Sequence, residues 1–352
     1  MKISKSVFGR LSDGRAVYLY ALQNDNGMEV KIINYGCIIT SILLHDKNGN
    51  LDNIVCGFDK FEDYLDEKYL SNYPYFGCII GRVGNRIHHG RFTLNGENYQ
   101  LAINNGPNHL HGGLTGFDRR LWQGEALVEE EKVGVLFSYL SPDGEEYYPG
   151  NLNVSCLYSL NNNNELSIDY FATTDQTTLI NLTNHTYFNL TGGKENILDH
   201  ELAICSSRMT ESANLIPTGD IIPVKGTPFD FTTFKRIGRD IATLEQGYDL
   251  NYVLDNEEEE LAYAACLKEN RTCRQVEVFT TQPGIQLYTG YWIPELEIGG
   301  EKRFGSYSGV ALETQHFPDS INHPSFPSIV LEPGEKYTQT TVYRFGLTEP
   351  AQ

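Results

Sequence analysis

The segment Leu152-Asn153-Val154-Ser155-Cys156-Leu157-Tyr158-Ser159-Leu160, followed by Asn161-Asn162-Asn163-Asn164 and then Glu165-Leu166-Ser167-Ile168-Asp169-Tyr170-Phe171-Ala172-Thr173-Thr174, alternates apolar with mainly polar side chains on both sides of a polar linker. A period of two is the pattern of a half-buried strand. Two such runs flanking a short polar stretch predict an antiparallel hairpin. The four asparagines suit either a tight turn or a looser loop.

Short β-type runs recur outward in both directions. Val30 to Tyr35 and Ile38 to Leu44 end in the turn Asp46-Lys47-Asn48-Gly49. Phe92-Thr93-Leu94 and Tyr99-Gln100-Leu101 flank Asn95-Gly96, the strongest short hairpin signal in the chain. Val133 to Leu140, Leu261 to Leu267, Gln275 to Thr280, Ile285 to Tyr291 and Thr338 to Phe345 read as further strands. Helical periodicity is confined to Phe58 to Tyr64 and Ile237 to Leu244. The chain is therefore expected to be all-β with few short helices. No repeat period and no Pro/Ser-rich linker divides it, so residues 1–352 are expected to form a single domain. The run Glu257 to Glu260 reads as a solvated loop.

Composition narrows the function. With 40% hydrophobic and 21% charged residues, the chain is neither disordered nor membrane-embedded. Its net charge of −19 repels phosphate backbones, which argues against nucleic acid. No stretch approaches the roughly 20 apolar residues of a membrane span, and no signal core follows Met1. A cytoplasmic protein, monomeric or weakly dimeric, is expected. The seven cysteines lack zinc spacing and are expected to be reduced and mostly buried.

Polar residues crowd into Gly81-Arg82-Val83-Gly84-Asn85-Arg86-Ile87, Asn104-Asn105-Gly106-Pro107-Asn108-His109-Leu110-His111-Gly112-Gly113, Asn181-Leu182-Thr183-Asn184-His185-Thr186-Tyr187-Phe188-Asn189-Leu190, Gly247-Tyr248-Asp249-Leu250-Asn251-Tyr252, Gln282-Pro283-Gly284-Ile285-Gln286-Leu287-Tyr288 and Ala311-Leu312-Glu313-Thr314-Gln315-His316-Phe317-Pro318-Asp319. In this order the segments resemble the aldose 1-epimerase (galactose mutarotase) family, from Gly81 to Phe345. The resemblance implies a galactose-mutarotase-like β-supersandwich, a free aldohexose such as D-glucose or D-galactose as substrate, and neither metal nor organic cofactor. It implies Glu313 as the base that takes the anomeric proton and His185 as the acid that protonates the ring oxygen. It further implies His111 near that oxygen, and Asn85, Arg86, Tyr187, Asp249 and Gln286 around the hydroxyls. Gly84 stands where alanine is common and Leu250 where histidine is common, which puts only the pocket edge in doubt.

The residue types suit that chemistry by themselves. Opening a hemiacetal needs one group to remove a proton and another to supply one, and a carboxylate with an imidazolium serves. Proximity of the two would favour their charged forms. Trp292 or Phe317 offers a flat face for the sugar. Plainer roles remain open: Glu313 as a strand-end surface carboxylate, His185 as a structural histidine, Asp249 as a turn cap, Arg82 as a support of the fold. His109 and His111 form a His-x-His with no third ligand at a characteristic spacing. His45, His88, His89, His200, His316 and His323 are given no catalytic role. The competing classes are a glycoside hydrolase, a non-catalytic sugar sensor and, from Arg82, Arg86 and Arg91, a sugar-phosphate epimerase.

Overall fold

The alternating pair around the four asparagines supplies the third and fourth strands of a nine-stranded sheet in the computed structural model, which describes residues 1–255, 260–298 and 301–348. Leu152–Asn161 and Glu165–Thr174 pair antiparallel, with Leu160 opposite Leu166, Tyr158 opposite Ile168 and Cys156 opposite Tyr170. The two apolar faces therefore coincide, and every side chain just named is fully buried. The asparagine linker is a tight turn. The Asn161 side-chain oxygen accepts from the amides of Asn163 and Glu165 at 2.9 and 3.1 Å, the local bonding that favours asparagine in turns. Asn164 and the carbonyl of Asn161 also receive the Asn24 amide, which ties this hairpin to the N-terminal sheet.

Among the described residues the nine strands run, edge to edge, Gln123–Val128, Lys132–Ser141, Leu152–Asn161, Glu165–Thr174, Tyr337–Leu347, Arg274–Thr280, Ala262–Lys268, Glu201–Ile204 and Lys235–Arg236. A five-stranded meander, Lys2–Arg10 to Leu51–Asn53, packs beside them. Its first two strands, Lys2–Arg10 and Ala16–Gln23, escape the sequence pattern. Lys2–Arg10 buries neither face fully, so no alternation marks it. The Asn95-Gly96 hairpin forms as expected between Arg91–Leu94 and Glu97–Gln100, with both turn residues at positive φ. Neither expected helix, Phe58 to Tyr64 nor Ile237 to Leu244, forms as an α-helix. Phe61–Leu65 is a 3₁₀ helix followed by a five-residue α-helix, Glu67–Ser71, and Ile237 to Leu244 holds two single 3₁₀ turns. The strand expected to reach Tyr291 ends at Tyr288. Of the acidic run, Glu257 to Glu259 lie outside the described residues.

Among the described residues, beside five two-stranded pairs, a six-stranded antiparallel sheet is the third large one: Tyr187–Phe188, Val310–Gln315, Gly284–Tyr288, Asp249–Val253, Arg208–Ala213 and Ile216–Pro223. Successive side chains of its central strands face opposite sides of the sheet, although both sides are covered. Val310, Leu312, Ile285, Leu287, Leu250 and Tyr252 join Val276, Val278, Tyr343 and Phe345 in one core that also reaches the meander. The opposite face carries Glu313, Gln286 and Asp249. Near its end an aromatic cluster of Phe58, Tyr64, Tyr69 and Phe76 packs on Tyr187 and Ala311. The seven cysteines are free, six of them buried and Cys205 exposed. No described helix is long and apolar enough to cross a membrane.

Candidate active site

Strand register assembles half of the site. Glu313 lies opposite Gln286, and Tyr288 lies opposite both Ala311 and Asp249. Because side chains two apart share a face, these groups project together from the core-distant side of the sheet. Glu313 is mid-strand and 2% exposed, so it is not a surface carboxylate. Gln286 is set back from the cavity. Its amide donates to Asp249 Oδ1 at 2.6 Å, so its contact is with Asp249 and through it with the cavity wall.

Loops supply the other half. Asn85 and His111 both adopt left-handed backbone, φ 59° and 52°. The Asn85 amide donates to His111 Nδ1 at 3.1 Å, and the His111 amide donates back to the Asn85 carbonyl at 3.0 Å. Gly112 follows at φ 86°, where a Cβ would lie 1.8 Å from the Gly81 carbonyl oxygen. Only glycine permits that approach. Arg86 donates from Nε to Asn105 Oδ1 at 3.0 Å, and its Nη1 stands 3.9 Å from Asp249. His185 is clamped by its backbone. Its amide donates to the Cys78 carbonyl at 2.8 Å and its carbonyl accepts from Gly77 at 3.0 Å.

These elements enclose a cavity of about 320 Å³, lined by seven of the eight expected residues: Asn85, Arg86, His111, His185, Tyr187, Asp249 and Glu313. His185 Nε2 stands 3.5 Å from Glu313 Oε1. The His111 and His185 rings meet edge to face at 5.3 Å. Trp292 lines the rim and is half exposed, whereas Phe317 lies elsewhere, packed on Phe326 and Val253. Sequence reasoning gave no role to Tyr75, Asn105, Leu215 and Tyr288, which also line the cavity. Asn105 and Tyr288 stood in quoted motifs without a role. Tyr75 and Leu215 stand outside the quoted motifs. In a larger groove of about 790 Å³, His316 Nδ1 pairs with Gln282 at 2.7 Å and Glu335 accepts from the Glu332 amide at 3.0 Å.

Burial dominates the electrostatics. It pushes the Glu313 carboxyl well above the usual carboxylate range, helped by the nearby Asp249 charge and opposed by Arg86. It holds His185 down to about 3 and His111 well below an ordinary histidine. Desolvation thus opposes the charge separation that proximity favours. His111 has a fixed tautomer: Nδ1 accepts from Asn85, so the neutral ring carries its proton on Nε2 and donates there. His111, His185 and Glu313 place potential ligand atoms within 4.8 Å of one another. That tautomer leaves His111 no free lone pair, which does not suit a cation. His109 is committed elsewhere, to the Ala102 carbonyl and the Tyr148 hydroxyl, so the His-x-His pair does not converge. Arg82 is fully buried and makes six hydrogen bonds, to Ser141, Pro142, Pro149, Gly150 and Thr178, a structural role. A hydrolase would need a second carboxyl free to act as acid. The other carboxylate lining the cavity, Asp249, already accepts from Gln286 and faces Arg86.

A family model described as aldose 1-epimerase matches residues 18–344. The chain is 43% identical to the galactose mutarotase of Bos taurus over 99% of both chains. It is 34% identical to the aldose 1-epimerase of Escherichia coli (strain K12), covering 95% of this chain and 96% of that one. The crystal structure of a galactose 1-epimerase from Lactobacillus acidophilus NCFM superposes with a TM-score of 0.86 at 30% identity, covering 99% of each chain.

Proposed function

The chain belongs to the aldose 1-epimerase family and interconverts the α and β anomers of free hexoses; from that premise we propose that Glu313 and His185 carry the proton transfers. The observation that carries this assignment is the 3.5 Å approach of His185 Nε2 to Glu313 Oε1 inside a buried, polar-lined cavity. In the reactive form Glu313 is a carboxylate and His185 an imidazolium. Glu313 takes the O1 proton. The O1 electrons form the C1–O1 double bond, the C1–O5 bond breaks, and O5 takes the proton from His185. Rotation about C1–C2 turns the other face of the aldehyde toward O5, and the same two groups run the closure in reverse. Burial makes Glu313 the stronger base and His185 the stronger acid, so it drives both transfers in the opening direction. His111 donates from Nε2 toward the ring oxygen. Arg86, Asn85 and Asp249 hold hydroxyls, with Asn105 and Gln286 fixing Arg86 and Asp249. Tyr187 packs against the His185 ring at 4.8 Å.

D-Galactose and D-glucose are the proposed substrates, supported by relatives named galactose mutarotase. The free cysteines suit a reducing, cytoplasmic setting. Polarimetry of freshly dissolved α-D-glucose and α-D-galactose tests the assignment, read as initial rate per mole of folded protein in a weakly catalytic buffer. Glu313→Gln and His185→Asn should each lower kcat by roughly 10²-fold or more, and the double variant far less than the product of the two losses. Near-wild-type rates in both single variants would remove the pair from the mechanism.

A further inference from the structure

We propose that Tyr75 is a positioning residue for the acid: its ring is held by a left-handed backbone against His185 and His111, and it keeps the His185 ring oriented and supports its protonated form. This rests on His185 being the group that protonates O5.

Three independent observations converge on Tyr75. Its ring stacks on His185 with centroids 6.0 Å apart and planes 20° from parallel, and meets His111 edge to face at 4.8 Å. It is therefore in contact with both imidazoles of the cavity. Its backbone sits at φ 58°, a region that a bulky residue adopts only at a cost in free energy. Three other non-glycine residues lining this cavity, Asn85, His111 and Leu215, share that conformation. Finally, Tyr75 opens the turn that grips the His185 main chain. The Cys78 amide donates to the Tyr75 carbonyl at 3.2 Å, and within that turn Gly77 and Cys78 bond the carbonyl and amide of His185. One short segment thus fixes both the backbone and the ring of the acid.

The chemistry explains why a ring should stand there. An imidazolium in this cavity is stripped of water, and an aromatic face offers a cation an attractive surface without adding a competing base. The titratable groups facing His185 are Glu313, His111, Tyr187, Tyr288 and Tyr75 itself. Of these only Glu313 can supply a full negative charge near neutral pH, and it must give up that charge as it takes the O1 proton. At that moment the π face is what remains to support whatever positive charge is still on His185.

Tyr75→Phe keeps the ring and the strain. Tyr75→Asn suits the left-handed backbone but removes the ring, and Tyr75→Leu keeps bulk without a π face. Mutarotation of α-D-glucose and α-D-galactose is followed by polarimetry from pH 3 to pH 9, with melting temperature measured alongside and His185→Asn as reference. Tyr75→Phe should stay within about 2-fold of wild type in kcat. Tyr75→Asn and Tyr75→Leu should lose about 10-fold or more in kcat with KM within about 3-fold, and their acid limb should move to lower pH. If Tyr75→Leu does not fold, Tyr75→Asn carries the comparison. Equal losses in Tyr75→Phe and Tyr75→Asn would assign the effect to the hydroxyl and overturn the proposal. A rise in KM at constant kcat would place Tyr75 on the sugar instead, and unchanged kinetics in all three would leave it no role. If His185→Asn is itself fully active, the acid assignment fails and this proposal falls with it, whereas a slow His185→Asn beside fully active Tyr75 variants overturns this proposal alone.

Discussion

Glu313 concentrates the conflict between stability and chemistry. A carboxyl that is 2% exposed, with Oε2 buried and without a hydrogen-bond partner, costs the fold free energy whenever it must ionise. The direction of the shift fixes how that cost varies with pH. Burial raises the folded-state pKa above the unfolded value of about 4.3. Below that value both states hold the proton and nothing is lost. As pH climbs past it, the unfolded chain releases its proton while the folded chain keeps it, so stability falls until the raised folded value is reached. Glu313→Gln removes the titration and keeps the shape. It should therefore match wild type near pH 4 and exceed it by on the order of 1 kcal/mol at pH 8 in denaturant melts, while losing turnover. A less stable variant at pH 8 would mean that the carboxylate is held by structural partners, and its place as the base would have to be given up.

At the scale of elements, the site is a sheet face closed by strained loops, and the two halves were unequally legible. Period-two alternation marked the strands around Leu152 to Thr174, because one face of each is buried and the other is not. It did not mark Val310–Gln315, where all six residues are buried and apolar and polar faces are both covered. Glu313 was found through its motif instead. Loop residues such as Tyr75 and Leu215 carry no periodicity, and their contribution depends on backbone conformation that a side-chain pattern does not encode. Leu215 is the clearest case. With Asn214 it forms the two-residue turn between Arg208–Ala213 and Ile216–Pro223, at φ 52° and 66°. Such a turn favours glycine at its second position, and leucine is strained there. Leu215→Gly should raise stability by on the order of 1 kcal/mol, seen as a higher melting temperature. A lower melting temperature would show that the leucine side chain contributes more by packing over the cavity than its backbone loses.

The whole molecule sets which sugars reach the pair. It carries 46 acidic against 27 basic residues, a net charge of −19, so its long-range field disfavours any anion. Inside the cavity Arg86 is the one lysine or arginine among the described lining residues, and it is already committed to Asn105 and faces Asp249 at 3.9 Å. A phosphate entering there would meet one occupied guanidinium and two carboxyls. A neutral hexose meets donors and acceptors suited to hydroxyls and feels none of the external field. The three arginines that raised a sugar-phosphate reading do not converge, since Arg82 is buried among backbone carbonyls and Arg91 bonds Gln100. Glucose 6-phosphate should therefore show kcat/KM at least about 10-fold below that of glucose at low ionic strength. The gap should narrow as salt rises, because the screening length shrinks from about 30 Å at 0.01 M to about 10 Å at 0.1 M. The value for glucose itself should not move with salt. Both sugars are followed by background-corrected polarimetry across that range. A salt-independent gap would assign the discrimination to the cavity wall alone, and equal kcat/KM at every ionic strength would mean that Arg86 is released from Asp249 to receive the phosphate.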